Sequence, residues 1–133
     1  MWKDIGYSRD YLGIIETVIK EEKMKIAIPV ANGRICAHFG HSEQFALIEV
    51  EDNEIKSKEM LIPPAHEPGV LPRWLHEQGA NVIITGGMGQ RAQMLFEENG
   101  IKVIYGVASG EPEELVKQYL NDTLEAGENI CDH

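Results

Sequence analysis

Asn81-Val82-Ile83-Ile84-Thr85-Gly86-Gly87-Met88-Gly89-Gln90-Arg91 is the stretch that decides the fold. The run over 81–85 is almost continuously apolar. A strand with one wet face alternates, whereas a strand without alternation is buried on both faces, as in a parallel sheet covered by helices. Three glycines then let the chain turn out of the strand. Residues 88–99 read as a helix, with Met88, Ala92, Leu95 and Phe96 inward and Asn99-Gly100 as its stop.

Downstream the unit repeats. A strand over 101–105 leads through Gly106 and Gly110 to a helix over 112–121, with Pro112 suited to a first helical position. Upstream, a helix over 69–78 places Val70, Leu71, Trp74 and Leu75 on one face and ends at Gly79. Pro63, Pro64 and Pro68 mark the loop before it. Ahead of that loop, runs over 25–30, 45–50 and 54–61 are separated by turn signals at Asn32-Gly33 and Glu51-Asp52-Asn53. These read as an antiparallel meander.

A meander followed by βαβ predicts an α/β domain with a mixed five-stranded sheet in the order 3-2-1-4-5 and helices on both faces. That is the ribonuclease H-like arrangement. Residues 1–23 read as an N-terminal extension carrying an amphipathic helix over 8–22, capped by Ser8, with Leu12, Ile15 and Ile19 at helical spacing. Its apolar face offers a contact for a homodimer. Residues 24–121 form the domain, and residues 122–133 read as an acidic tail containing Cys131 and His133.

Of the 133 residues, 43% are hydrophobic and 26% charged, the proportions of a globular protein. No apolar run is long enough to cross a membrane and no secretory leader is evident, so a cytoplasmic location is expected. The net charge is −10, and residues 111–133 hold seven acidic side chains against one basic. Such a surface repels phosphate backbones, which argues against nucleic acid as a partner.

Both cysteines and three of the five histidines fall in two short clusters, Cys36-Ala37-His38-Phe39-Gly40-His41 and Cys131-Asp132-His133. Thiolates and imidazoles bind soft and borderline metals, so Cys36, His38, His41, Cys131 and His133 are candidate metal ligands. A closed structural zinc site takes four protein ligands; three in the first cluster leave a site to be completed from elsewhere. The turn Gly86-Gly87-Met88-Gly89-Gln90-Arg91 is a candidate cofactor cradle. Its glycines admit close approach, the helix start offers N–H groups to an anion, and Arg91 adds a forked cation. It lacks the dinucleotide-binding spacing, since Ala92 stands where the last glycine would be. His66, on the proline-rich loop, is a further candidate contact. No nucleophile elbow or phosphate-binding lysine motif occurs. The first strand carries no carboxylate to hold the metal ions of a nuclease.

Met24–Val30, His38-Phe39-Gly40-His41-Ser42-Glu43-Gln44-Phe45, Pro68-Gly69-Val70-Leu71-Pro72 and Gly86–Ala92 together resemble the dinitrogenase iron–molybdenum cofactor biosynthesis family. That family includes NifX-type carriers and the C-terminal domain of NifB. The resemblance covers roughly residues 24–121. It implies a ribonuclease H-like fold and a non-catalytic protein that holds or transfers an iron–sulfur or molybdenum-containing cluster, with cluster donor and acceptor proteins as partners. Another transition metal is compatible with the same ligands. The alternative is a regulatory module binding a small anion or nucleotide at Gly86–Arg91. A metal-dependent hydrolase ranks last, because no motif positions a general base.

Overall fold

The strand β1, Met24–Ala31, is the axis of the sheet. Ile26, Ile28 and Val30 enter one hydrophobic cluster while Ala27 enters the other, so both faces of the strand are buried. The structure is a computed structural model that describes residues 23–37, 42–65 and 69–126; the expected helix over 8–22 lies outside them.

Asn32 and Gly33 have φ of 57° and 80°, the left-handed pair that a tight two-residue hairpin requires. The hairpin returns as β2, Arg34–Ile35, which pairs antiparallel with Val30 and Ala31. β3, Gln44–Glu51, pairs antiparallel along nearly the whole of β1, from Met24↔Val50 to Val30↔Gln44. A second left-handed pair, Asp52 and Asn53, turns β3 into β4, Glu54–Leu61. Helix α1, Val70–Glu77, follows, then β5, Val82–Ile84, helix α2, Gln90–Glu98, β6, Lys102–Ile104, and helix α3, Pro112–Leu120. β5 is parallel to β1 and β6 is parallel to β5.

The sheet thus has six strands rather than the expected five, in the order β4-β3-β1-β5-β6 with β2 off that path beside β1. The extra strand changes the count and the numbering, and it has a physical origin. β3 occupies one flank of β1 along its length, so β2 and β5 must share the other. β5 rises beside the first half of β1 and β2 descends beside the second half. The two approach end to end, and β2 stops after two residues where it meets the turn that follows β5.

Helices cover both faces. α1 and α2 lie over Ala27, Phe45, Leu47 and Ile83, contributing Leu71, Leu75 and Phe96. The Trp74 ring meets Phe45 edge-on, with centroids 5.8 Å apart. α3 lies on the opposite face, where Leu115 and Val116 pack on Ile28, Ile48 and Ile84. At the far end of the sheet Asn81 ties the parallel half together. Its side-chain oxygen accepts from the Lys25 N–H at 2.8 Å, and its own N–H donates to the Lys25 carbonyl at 2.8 Å. Among the described residues no helix is long and apolar enough to cross a membrane.

Candidate functional site

β1, β5 and β6 run in parallel, and their carboxyl ends lie along one edge of the sheet. In open α/β sheets ligands bind outside that edge, where the chain leaves strands for helices. Three backbone segments are joined there. Cys36 N–H donates to the Pro29 carbonyl at 2.8 Å and Gly87 N–H to the Ala37 carbonyl at 2.7 Å. Gly106 N–H donates to Gly86 O at 2.8 Å, and Ile35 N–H to Gly110 O at 2.9 Å. The hairpin exit, the turn after β5 and the turn after β6 therefore form one hydrogen-bonded platform. The sequence points to the first two separately; the structure brings Cys36 and Gly86–Gly87 into direct contact.

That contact explains Gly86. A Cβ at this position would stand 2.6 Å from the Ala37 carbonyl oxygen and 2.9 Å from that of Cys36. Both obstacles are backbone, at the point where β2 and β5 converge, so the glycine answers to packing before any ligand. Gly87 is committed in the same way, since its N–H already has an acceptor. The open part of the turn begins at Gly89, which starts α2 with no side-chain cap and nothing within 4 Å of a notional Cβ. Arg91 is exposed in the first turn. Gln93 braces the turn from within the helix, donating from Nε2 to the Met88 carbonyl at 2.9 Å.

Cys36 is buried, 7% exposed, whereas Ala37 beside it is exposed. The described chain breaks after Ala37 and resumes at Ser42, so His38 and His41 lie outside the described residues, as do His66, Cys131 and His133. Among the described residues no group of three or more His, Cys, Asp or Glu side chains is arranged to hold a metal ion.

Two polar residues of this edge, Ser42 and Thr85, stand within the motifs quoted above but carry no assigned role in the sequence. The Ser42 Oγ and Thr85 Oγ1 atoms are buried without a hydrogen-bond partner among the described residues. Thr85 closes an apolar strand, and a hydroxyl in that position was the available signal. Gly106 and Gly110 read in the sequence only as a strand-to-helix connection, although two glycines bracketing such a connection mirror the turn after β5.

The fold and the joined loops at its carboxyl edge define a class: a mixed-sheet α/β protein whose carboxyl edge is built from backbone turns. The chain belongs to the dinitrogenase iron–molybdenum cofactor family, whose pattern matches residues 22–122. Membership points to a role in biosynthesis or binding of that cofactor. The protein MJ0580 of Methanocaldococcus jannaschii is 35% identical over 113 residues, covering 81% of this chain and 95% of its own. The crystal structure of PH0822 superposes with a TM-score of 0.72 at 31% identity, covering 77% of this chain and 94% of that one. The apo form of the orange protein from Desulfovibrio gigas has the same fold, with a TM-score of 0.64 at 21% identity over 80% of this chain and 94% of that one.

Proposed function

We propose that this protein is a non-catalytic carrier that holds an iron–sulfur or molybdenum-containing cluster at the carboxyl edge and passes it between donor and acceptor proteins during metallocofactor assembly. The observation that carries the reading is the contact of the Cys36–Ala37 segment with the Gly86–Gly87 turn, in a chain of this family. It sets Ala37 against the turn that leads into α2. In this reading His38 and His41, with Cys36, supply soft ligands from one side. Cys131 and His133 reach over from the tail, and His66 contributes from its loop. Gly89 and Arg91 offer N–H groups and a positive charge to an anionic cluster.

The cluster is cargo, so the site is open rather than a closed four-ligand cage. Residues 24–121 form the carrier domain in the ribonuclease H-like layout, residues 1–23 an appended segment with a homodimer contact, and residues 122–133 a ligand-bearing tail. The carrier works in the cytoplasm.

Anaerobic reconstitution with iron and sulfide tests this. The expected result is charge-transfer absorption in the visible region that falls sharply in a Cys36→Ala, His38→Ala variant. If the wild type takes up no iron, molybdate, copper or zinc above background, the carrier reading fails.

A further inference from the structure

The basic side chains are sorted by type. Among the described residues the arginines are Arg34, Arg73 and Arg91, and all three are exposed around the carboxyl edge on the face covered by α1 and α2. Arg34 precedes Ile35, which packs on the α3 face with Leu115. Successive strand residues point to opposite faces, so Arg34 belongs to the α1/α2 face, as does Cys36. Arg73 and Arg91 stand in the first turns of α1 and α2. Both helices run down from the carboxyl edge. α1 ends at Gly79, where a notional Cβ would be 3.3 Å from the side chain of Lys25 at the start of β1. α2 ends where Ile101 leads into β6. Helical side chains lean toward their own N-terminus, so Arg73 and Arg91 lean toward the carboxyl edge.

The described lysines lie elsewhere. Lys25 and Lys102 open β1 and β6 at the opposite end of the sheet, Lys56 and Lys58 are on β4, and Lys117 is on α3 over the other face. The two cations differ in what they recognise. A guanidinium is a planar, weakly hydrated fork that matches polyatomic anions, whereas an ammonium is a compact point charge. In a chain of net charge −10, three arginines around one edge are a local reversal of sign. Glu43, at the same edge, is engaged by the hairpin, where its Oε1 accepts from the Asn32 N–H at 3.4 Å. The 2.7 Å bond from Gly87 N–H to the Ala37 carbonyl fixes the segment after Arg34 against the turn before Arg91.

We propose that Arg34, Arg73 and Arg91 form a rim that captures a compact multivalent anion, a metal–sulfur or metal–oxo species, by charge and hydrogen bonds that need no thiolate or imidazole bond. The nature of the anion rests on the carrier reading. The rim adds Arg34 and Arg73 to that site.

Hexacyanoferrate(II) is a suitable probe, because its iron is closed to ligand exchange and forms no bond to Cys or His. Calorimetry on chelator-treated full-length protein at low ionic strength compares wild type with Arg34→Gln, Arg73→Gln and Arg91→Gln. Lys56→Gln and Lys117→Gln remove the same charge away from the rim. Wild type is expected to bind, with an affinity that falls as salt is added. Each arginine variant is expected to weaken binding about fivefold and each lysine variant less than about twofold. Cys36→Ala is expected to bind as wild type does. Absence of binding overturns the proposal. So does an equal loss in the arginine and lysine variants, which would put net charge in place of a site. Wild-type affinity in Arg34→Gln and Arg73→Gln overturns it as well, and so does a loss in Cys36→Ala as large as in the arginine variants. Uptake of iron and sulfide by the same proteins separates the two readings. Uptake without hexacyanoferrate binding removes the rim and leaves the carrier. Binding without uptake removes the carrier and leaves the rim as a site for inorganic anions.

Discussion

The turn after β5 and the turn after β6 sit side by side at the carboxyl edge, and both depend on glycine for different reasons. In the first, Gly86 is hemmed in by the backbone of Cys36 and Ala37 and has no unusual φ. In the second, Gly106 and Gly110 have φ of 83° and 143°, and the neighbour of Gly110 is the Leu115 side chain, 2.8 Å from a notional Cβ. One glycine is required by what lies beside it, the other chiefly by its own backbone conformation. The difference separates the rigid part of the platform from the part that can adjust. Backbone against backbone cannot yield without moving β2 or β5, whereas a leucine can change rotamer.

Gly86→Ala is the most severe way to probe that contrast. The added methyl forces apart two chains that the sheet holds in register, and a cost of about 3 kcal/mol or more is expected. Urea denaturation should show the midpoint falling by that cost divided by the slope, with the slope unchanged. A cost below about 1 kcal/mol would mean that the contact between β2 and the turn is slack. Gly110→Ala should cost less, about 1–2 kcal/mol, from the strained φ and the crowded leucine. A double-mutant cycle with Leu115→Ala sharpens the point. Coupling of about 1 kcal/mol is expected, because truncating the leucine removes the obstacle at 2.8 Å. For Gly86 the obstacles are carbonyl groups, so side-chain truncation at Cys36 or Ala37 should give no comparable relief.

The same contrast shows which features were legible in the sequence. Val82–Ile84 announced a strand buried on both faces through its lack of alternation, and the two Asx-containing turns announced their hairpins. Local patterns of this kind carry the fold. β2 was missed because two residues have no period to detect. The convergence of β2 and β5 was missed because it follows from which flank of β1 each strand occupies, a matter of pairing that no window of sequence holds. Met88 was expected inside a helix; it is buried, but α2 starts after it at Gln90. At the site, residue chemistry singled out Cys36 and the Gly86–Arg91 turn, yet gave no hint that Gly86 would be occupied with packing. Glycine-rich turns look alike in sequence whether they face a ligand or another backbone.

Thr85 leads into the first turn, and in the β5–β6 register its counterpart before the second is Tyr105. The buried Thr85 hydroxyl has no hydrogen-bond partner among the described residues, and such a group carries a desolvation cost with no return. Thr85→Val keeps the shape and removes the polar atom. A gain of about 1 kcal/mol in thermal or urea unfolding is expected. A loss of similar size would mean that the hydroxyl is satisfied in solution, by water at the carboxyl edge for example.

The smallest expected effect belongs to the helix that follows the second turn. Lys58 Nζ on β4 lies 3.1 Å from Glu113 Oε2 in the first turn of α3, fixing the start of that helix to the sheet edge. The lysine hydrogen bond, with a backbone hydrogen bond, holds the Glu113 carboxyl below its usual range. A carboxylate whose folded pKa is depressed adds stability above its unfolded value, and that stability is lost as pH falls through the folded one. Both side chains are substantially exposed, so solvent screening limits the pair to about 0.2–1 kcal/mol. Glu113→Gln should therefore lower stability by no more than this at neutral pH and low salt. The difference from wild type should shrink as the solution is acidified through and below the usual carboxylate range, where the wild-type group is protonated as well. It should also shrink with added salt. A difference that persists at low pH and high salt would assign the role of Glu113 to packing or helix propensity. The second turn would then owe its position to Gly106 and Gly110 alone, without an electrostatic contribution from the edge strand.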